Sequence, residues 1–158
     1  MLRSANTISS DNDKANLLKD VIHNEVIANS GYNSLLGVIS TISSDNDKAN
    51  ILKILINKTV YPGEQFNNLL AVITGIHADK DKAGVLKQLA GKDISNGEDW
   101  ISLINQTTSI SSDNDKAGVL VEISHRMPRD ENILAAYMKA SRTISADNDY
   151  QRAVKLVK

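Results

Sequence analysis

The side chains in this sequence that could do chemistry are few in kind: carboxylates in close pairs, three histidines, a Gly-Lys-Asp step and no cysteine. Aspartate pairs stand at 11/13, 45/47, 79/81, 113/115 and 147/149. Two carboxylates converging on a cleft can share acid and base roles in hydrolysis, and Asp-x-Asp also opens a calcium loop. An EF-hand loop needs a further ligand and a glycine after that pair, and Lys14 and Ala15 stand there instead. The pairs are therefore read as helix starts. His23, His77 and His125 show no His-Glu-x-x-His or comparable ligand spacing. Gly91-Lys92-Asp93 lacks the upstream glycine and preceding strand of a phosphate loop, and reads better as a helix C-terminus. Ser124-His125 sits in no nucleophile elbow and reads as the end of a helix. The expectation is no catalytic residue, no metal and no cofactor.

The elements that position these groups are set by a repeat. Ile8-Ser9-Ser10-Asp11-Asn12-Asp13-Lys14-Ala15 returns at 42–49, in altered form at 76–83, and again at 110–117. A degenerate copy begins at Ile144, so the isoleucines at 8, 42, 76, 110 and 144 are each 34 residues apart. A fixed period of that size means a stack of supersecondary units, and 34 residues hold two short helices and two turns. In the first helix of each unit, helix A, Leu17, Leu18, Val21 and Ile22 form a stripe that recurs as Ile51, Leu52, Leu55 and Ile56. Helix B carries Tyr32, Leu35, Leu36, Ile39 and Ile42, recurring as Phe66, Leu69, Leu70, Ile73 and Ile76. The third copy of helix B has Trp100, Leu103, Ile104 and Ile110, and the fourth has Leu134, Tyr137, Met138 and Ile144. Nothing alternates with period two. The predicted fold is all-α: a single α-α superhelix over 1–158, HEAT- or TPR-like, of about nine helices.

The turns differ in chemistry. Between A and B lie Asn29-Ser30-Gly31, Pro62-Gly63, Asn96-Gly97 and Pro128-Arg129-Asp130, all breakers. Between B and A, Ser10 with Asp13 resembles a capping box in which Asp replaces Glu, and Ser44/Asp47 and Ser112/Asp115 repeat it. Where alanine replaces that serine, Asp79 and Asp81, and Asp147 and Asp149, are expected to cap and to offset the helix dipole.

Composition narrows the function. The chain has 158 residues, 41 % of them hydrophobic, and a net charge of −1, which disfavours a nucleic-acid coat or a polybasic membrane binder. Its first residues hold no apolar stretch of signal-peptide type, and no apolar run approaches the roughly 20 residues of a membrane span. Ten of the fourteen aspartates lie in the five pairs, so an acidic edge and a net positive remainder are expected. Both ends look cut: residues 2–8 match the last turn of a helix B, and 147–158 a helix A with no B after it. Small neutral residues on the outer face of helix B suit the inner side of a curved stack, where partners dock. Asn33, Asn68, Asn105 and Lys139 are the candidate contacts there.

The Ile-Ser-Ser-Asp-x-Asp-Lys start followed by an apolar pair resembles a helical repeat of bacterial proteins, found in C-terminal extensions of BlaR-type membrane sensor metallopeptidases. A typical member has Tyr after Ser-Asp, where this chain has Asn12, Asn46, Lys80, Asn114 and Asn148. The family's zinc-binding peptidase motif is absent, so the resemblance implies a structural unit and carries over no peptidase activity. The tetratricopeptide signature is also missing despite the equal period. Three functions are expected in descending order. The first is a non-catalytic scaffold for a protein or peptide, within a larger bacterial protein and extracytoplasmic if that protein is a membrane sensor. The second is a DNA-binding enzyme resembling HEAT-like alkylpurine glycosylases, against which the mostly neutral groove counts. The third is a spacer that associates end to end.

Overall fold

Ser10, Ser44 and Ser112 each sit in extended backbone just ahead of a helix, and each side chain accepts a hydrogen bond from the N–H three residues on. The N-terminus of a helix has four such orphan donors, and a serine oxygen at this position satisfies one. The helices that follow are α2 (Asp11–Asn24), α4 (Asp45–Lys58) and α8 (Asp113–Ser124). With α6 (Asp79–Ala90) and α10 (Asp147–Val154) they form the A series. The B series is α3 (Asn29–Ser40), α5 (Phe66–Thr74), α7 (Gly97–Gln106) and α9 (Glu131–Ser141). Residues Leu2–Thr7 form α1.

The computed structural model describes residues 2–59 and 63–158, all-helical and without strands among them. The Pro62 half of the second A-to-B turn lies outside the described residues. Among the described residues the α-helix count is ten rather than nine because residues 2–7 close a helix of their own. Asn29-Ser30-Gly31, expected as a turn, instead begins α3, with Ala28 in the extended cap position. At the far end α10 stops at Val154, shorter than expected. The Val157 N–H reaches back three residues to the Val154 carbonyl, tightening the chain into a turn.

The helices pack against neighbours in a repeat-like arrangement within two compact units, residues 1–81 and 82–158. In the first, α2 lies against α4 and α3 against α5, while α1 packs on α2 and α3. In the second, α8 lies against α10 and α7 against α9. The A stripes are buried, Leu17 on α2 only partly: Leu18 and Ile22 on α2, Ile51, Leu52 and Leu55 on α4, Val119, Leu120 and Ile123 on α8. Burying such a side chain fully contributes about 1.5–3 kcal/mol, and most of the stability of short helices comes from this source.

The B column drifts along the chain. Ile39 and Ile73 are fully buried, and Thr107 and Ser141 occupy the same column equally buried. Their hydroxyls donate to carbonyls of their own helices, Thr107 to Ile104 at 2.7 Å and Ser141 to Tyr137 at 2.9 Å, so no polar group is stranded. On α9 the buried face is rotated from the expected one. Ile133, Tyr137 and Ala140 are buried, while Leu134 and Met138 are only half-buried. Tyr137 fixes that rotation: its hydroxyl lies 2.9 Å from the Leu120 carbonyl and 2.7 Å from the Ala153 carbonyl, tying α9 to both α8 and α10.

Candidate functional site

The repeated charged residues are spent on the framework. Asp11 Oδ2 accepts the N–H groups of Ser43 (2.9 Å) and Ser44 (3.0 Å), one repeat further on. Asp45 does the same for His77 (3.0 Å) and Ala78 (2.8 Å), and Asp113 for Ser145 (3.0 Å) and Ala146 (2.9 Å). The first aspartate of the pair therefore crosses to the next B-to-A turn, a role the sequence reading did not assign. In a complete capping box the residue at the third helical position would reach back to the cap's own N–H. At Ser44 that N–H is taken by Asp11 from the previous repeat.

The second unassigned framework group is the lysine after each pair. Lys14, Lys48, Lys82 and Lys116 are only 5–7 % exposed. Lys14 Nζ donates to Thr41 Oγ1 (3.1 Å), Lys48 to the Gly75 carbonyl (3.2 Å), and Lys116 to the Thr143 carbonyl (3.2 Å). Lys82 reaches Ser109 Oγ at 3.4 Å. Each ammonium thus meets the C-terminal end of the B helix in its own repeat, where the helix dipole favours a cation. The signal that could have found both roles was the equal step of these residues: a side chain held at one position in every repeat answers to a neighbour that also recurs.

The predicted partner-binding residues are exposed. Asn68 Nδ2 donates to Asn33 Oδ1 at 3.1 Å, joining the outer faces of α5 and α3 in the first unit. Asn105 on α7 and Lys139 on α9 belong to packed neighbours in the second unit. Asp13, Asp47 and Asp115 stand in first turns with their N–H groups on the cap serines, and Asp79, Asp81, Asp147 and Asp149 stand in the first turns of α6 and α10. Ala146 offers no side-chain cap.

One cavity, of about 290 Å³, opens beside the α6–α7 turn and is lined by Lys92, Asp93, Ile94, Ser95, Trp100 and Arg126. Trp100 is part of that lining; its indole N–H donates to the Ile94 carbonyl at 3.0 Å, and the residue is only 2 % exposed, so it offers no open stacking platform. His23, His77 and His125 lie on separate elements. Among the described residues no three of His, Asp and Glu gather to hold a metal ion, and no helix is long and apolar enough to cross a membrane. The chain matches no protein-family model, no curated protein and no solved structure.

Proposed function

We propose that this chain is a non-catalytic helical-repeat scaffold that binds another protein or peptide through the exposed faces of its B helices. The observation that carries this reading is the division of labour among polar side chains. Asp11, Asp45 and Asp113, the lysines after the pairs and the cap serines are engaged within the stack, whereas Asn33, Asn68, Asn105 and Lys139 stay exposed on B helices, Asn33 and Asn68 bonded only to one another. Side-chain amides offer both donors and acceptors and so suit the backbone of an extended segment. The resemblance to repeats of BlaR-type sensors fits a docking or sensing role within a larger bacterial protein.

The test is selection from a random peptide library against the 158-residue chain, followed by isothermal titration of the enriched peptides. Substituting Asn68→Arg and Lys139→Glu is expected to weaken the selected peptides at least tenfold while leaving the helical circular dichroism unchanged. Peptides that bind both variants as well as the parent place the docking surface elsewhere. Binding to duplex DNA with a steep dependence on salt concentration would instead favour a nucleic-acid enzyme, since phosphate contacts release counterions.

A further inference from the structure

The cavity beside the α6–α7 turn holds charge that the repeat framework does not use. Its lining sets two cations, Lys92 and Arg126, one carboxylate, Asp93, and the Ser95 hydroxyl beside Ile94 and Trp100. Two positive charges against one negative leave one net positive charge around a space of about 290 Å³. Arg126 and Asp93 are exposed, and neither side chain makes a hydrogen bond or ion pair among the described residues.

Comparison along the repeat shows that Arg126 departs from its column. Lys58, Lys92 and Arg126 stand 34 residues apart. Lys58 Nζ donates to the His23 carbonyl in the last turn of α2, the preceding A helix, so that cation is spent on joining repeats. Arg126 follows α8, and the same contact would take it to the end of α6. It makes no such bond and lines the cavity beside that helix end instead. The change from lysine to arginine also matters in kind. A planar guanidinium presents two parallel N–H donors that match the two oxygens of a carboxylate.

We propose that this cavity binds a carboxylate presented by a peptide, with the Arg126 guanidinium as its main partner, Lys92 adding positive charge and the Ser95 hydroxyl a further donor. An acidic side chain and a chain terminus both supply that group. Size and charge select it. Pockets for whole small molecules run from about 300 to 1,000 Å³, so a cavity at the bottom of that range takes a side chain or a chain end. One net positive charge matches a monoanion, and Asp93 repels the second charge of a phosphate. The site uses none of the B-helix residues assigned to peptide docking above, so the two readings fail independently.

The experiment is a titration of the 158-residue chain with short peptides, read at Trp100. This is the only tryptophan in the chain, so its fluorescence and its single indole N–H resonance both report on the cavity. One probe is acetyl-Ala-Glu-Ala-amide, with a side-chain carboxylate, and the other is acetyl-Ala-Ala-Ala, with a terminal one. Acetyl-Ala-Gln-Ala-amide and acetyl-Ala-Ala-Ala-amide are the neutral counterparts, and inorganic phosphate is the competing anion. At least one carboxylate peptide is expected to give a saturable change, and the tighter of the two identifies the source of the group. The neutral counterparts should give none. Arg126→Gln is expected to weaken binding at least about tenfold, as loss of a bidentate charge-assisted contact implies. Asp93→Asn removes a like charge and should tighten binding at least about twofold. Both positions are exposed and make no internal side-chain bond, so circular dichroism should be unchanged for both. Carboxylate peptides that move neither signal overturn the inference, as do neutral counterparts that bind equally well or phosphate that binds more tightly than both peptides. So does an Arg126→Gln variant that binds like the parent, or an Asp93→Asn variant that binds more weakly.

Discussion

The two edges of the repeat obey different rules. At the B-to-A edge the caps Ser10, Ser44, Ser112 and Ala146 all adopt extended backbone, with φ between −83° and −67° and ψ between 113° and 121°. At the A-to-B edge each turn finds its own solution. Ala28 offers no side-chain cap, and Gln65 closes a 3-10 turn at φ −92° and ψ 3°. Asn96 accepts from the Glu98 N–H, and Asp130 accepts from those of Asn132 and Ile133. An edge that must mate with its own copy can vary little, because a change in one repeat alters the fit of its neighbour. The freer edge carries the cavity at Lys92–Ser95 and is where individual properties can collect.

That contrast predicts its largest effect at Asp113. Replacing Asp113 with Ala removes two charge-assisted bonds and leaves the Ser145 and Ala146 N–H groups without their acceptor. The expected loss is about 2–3 kcal/mol in urea unfolding, since bonds to charged groups contribute roughly 1.5–3 kcal/mol each and the site is half-open to water. Asp93→Ala, on the variable edge, should change stability far less. Equal losses at the two sites would erase the distinction between the edges.

Next in size is Tyr137, which joins α9 to both flanking A helices. Burial pushes its hydroxyl up to about 12 from an ordinary value of 10. The neutral form is thus favoured in the folded state. Its contribution is fully present below pH 10 and is lost as pH rises toward 12. Tyr32, buried with no hydrogen-bond partner for its hydroxyl, is shifted in the same direction and steepens the same loss. Tyr137→Phe is expected to cost about 1–2 kcal/mol at neutral pH by removing the one O–H that the two carbonyls share. It should also flatten the alkaline limb of a stability–pH curve measured by thermal melts. A curve of unchanged slope in the variant would mean that Tyr137 does not carry the transition.

Much of the fold was legible in the sequence, because a stripe such as Leu17, Leu18, Val21 and Ile22 names both a helix and the face it buries. Two things were not. The first is the destination of Asp11 and Lys14, since a cap motif specifies a local bond while these side chains answer to atoms 27 to 33 residues away. The second is the rotation of α9, where Leu134 and Met138 fit the apolar column as well as Ile133 does. The hydroxyl of Tyr137 decides between them only once α8 and α10 are in place. The candidate partner face was legible only as a set of columns. That Asn33 and Asn68 meet follows from the packing of α3 on α5, which no local pattern encodes.

The cap column allows a gain as well as a loss. Ala146 has φ −76° and ψ 117°, the backbone that Ser44 and Ser112 use to cap. Ala146→Ser should therefore stabilise by about 0.5–1 kcal/mol, and Ser112→Ala should destabilise by about 1 kcal/mol, both read from urea midpoints. If the added serine gives nothing, the aspartates in the first turn of α10 already meet the need for a cap.

The smallest expected effect lies within α8, where Gly118 interrupts an otherwise ordinary helix. A Cβ built there would come 2.8 Å from Lys87 Nζ and 3.1 Å from Lys87 Cε. Both atoms are at the far end of an exposed, flexible side chain, so Lys87 can swing clear at little cost. Against that stands the helix propensity of alanine, worth up to about 1 kcal/mol over glycine in a helix interior. Gly118→Ala is therefore expected to stabilise by about 0.5 kcal/mol once the displaced lysine is set against that gain. A loss of similar size would show that the lysine is held over α8 and belongs to the shared framework. Pairing the substitution with Lys87→Ala separates the two cases: the gain should grow if the lysine merely steps aside, and a loss should vanish if it was held.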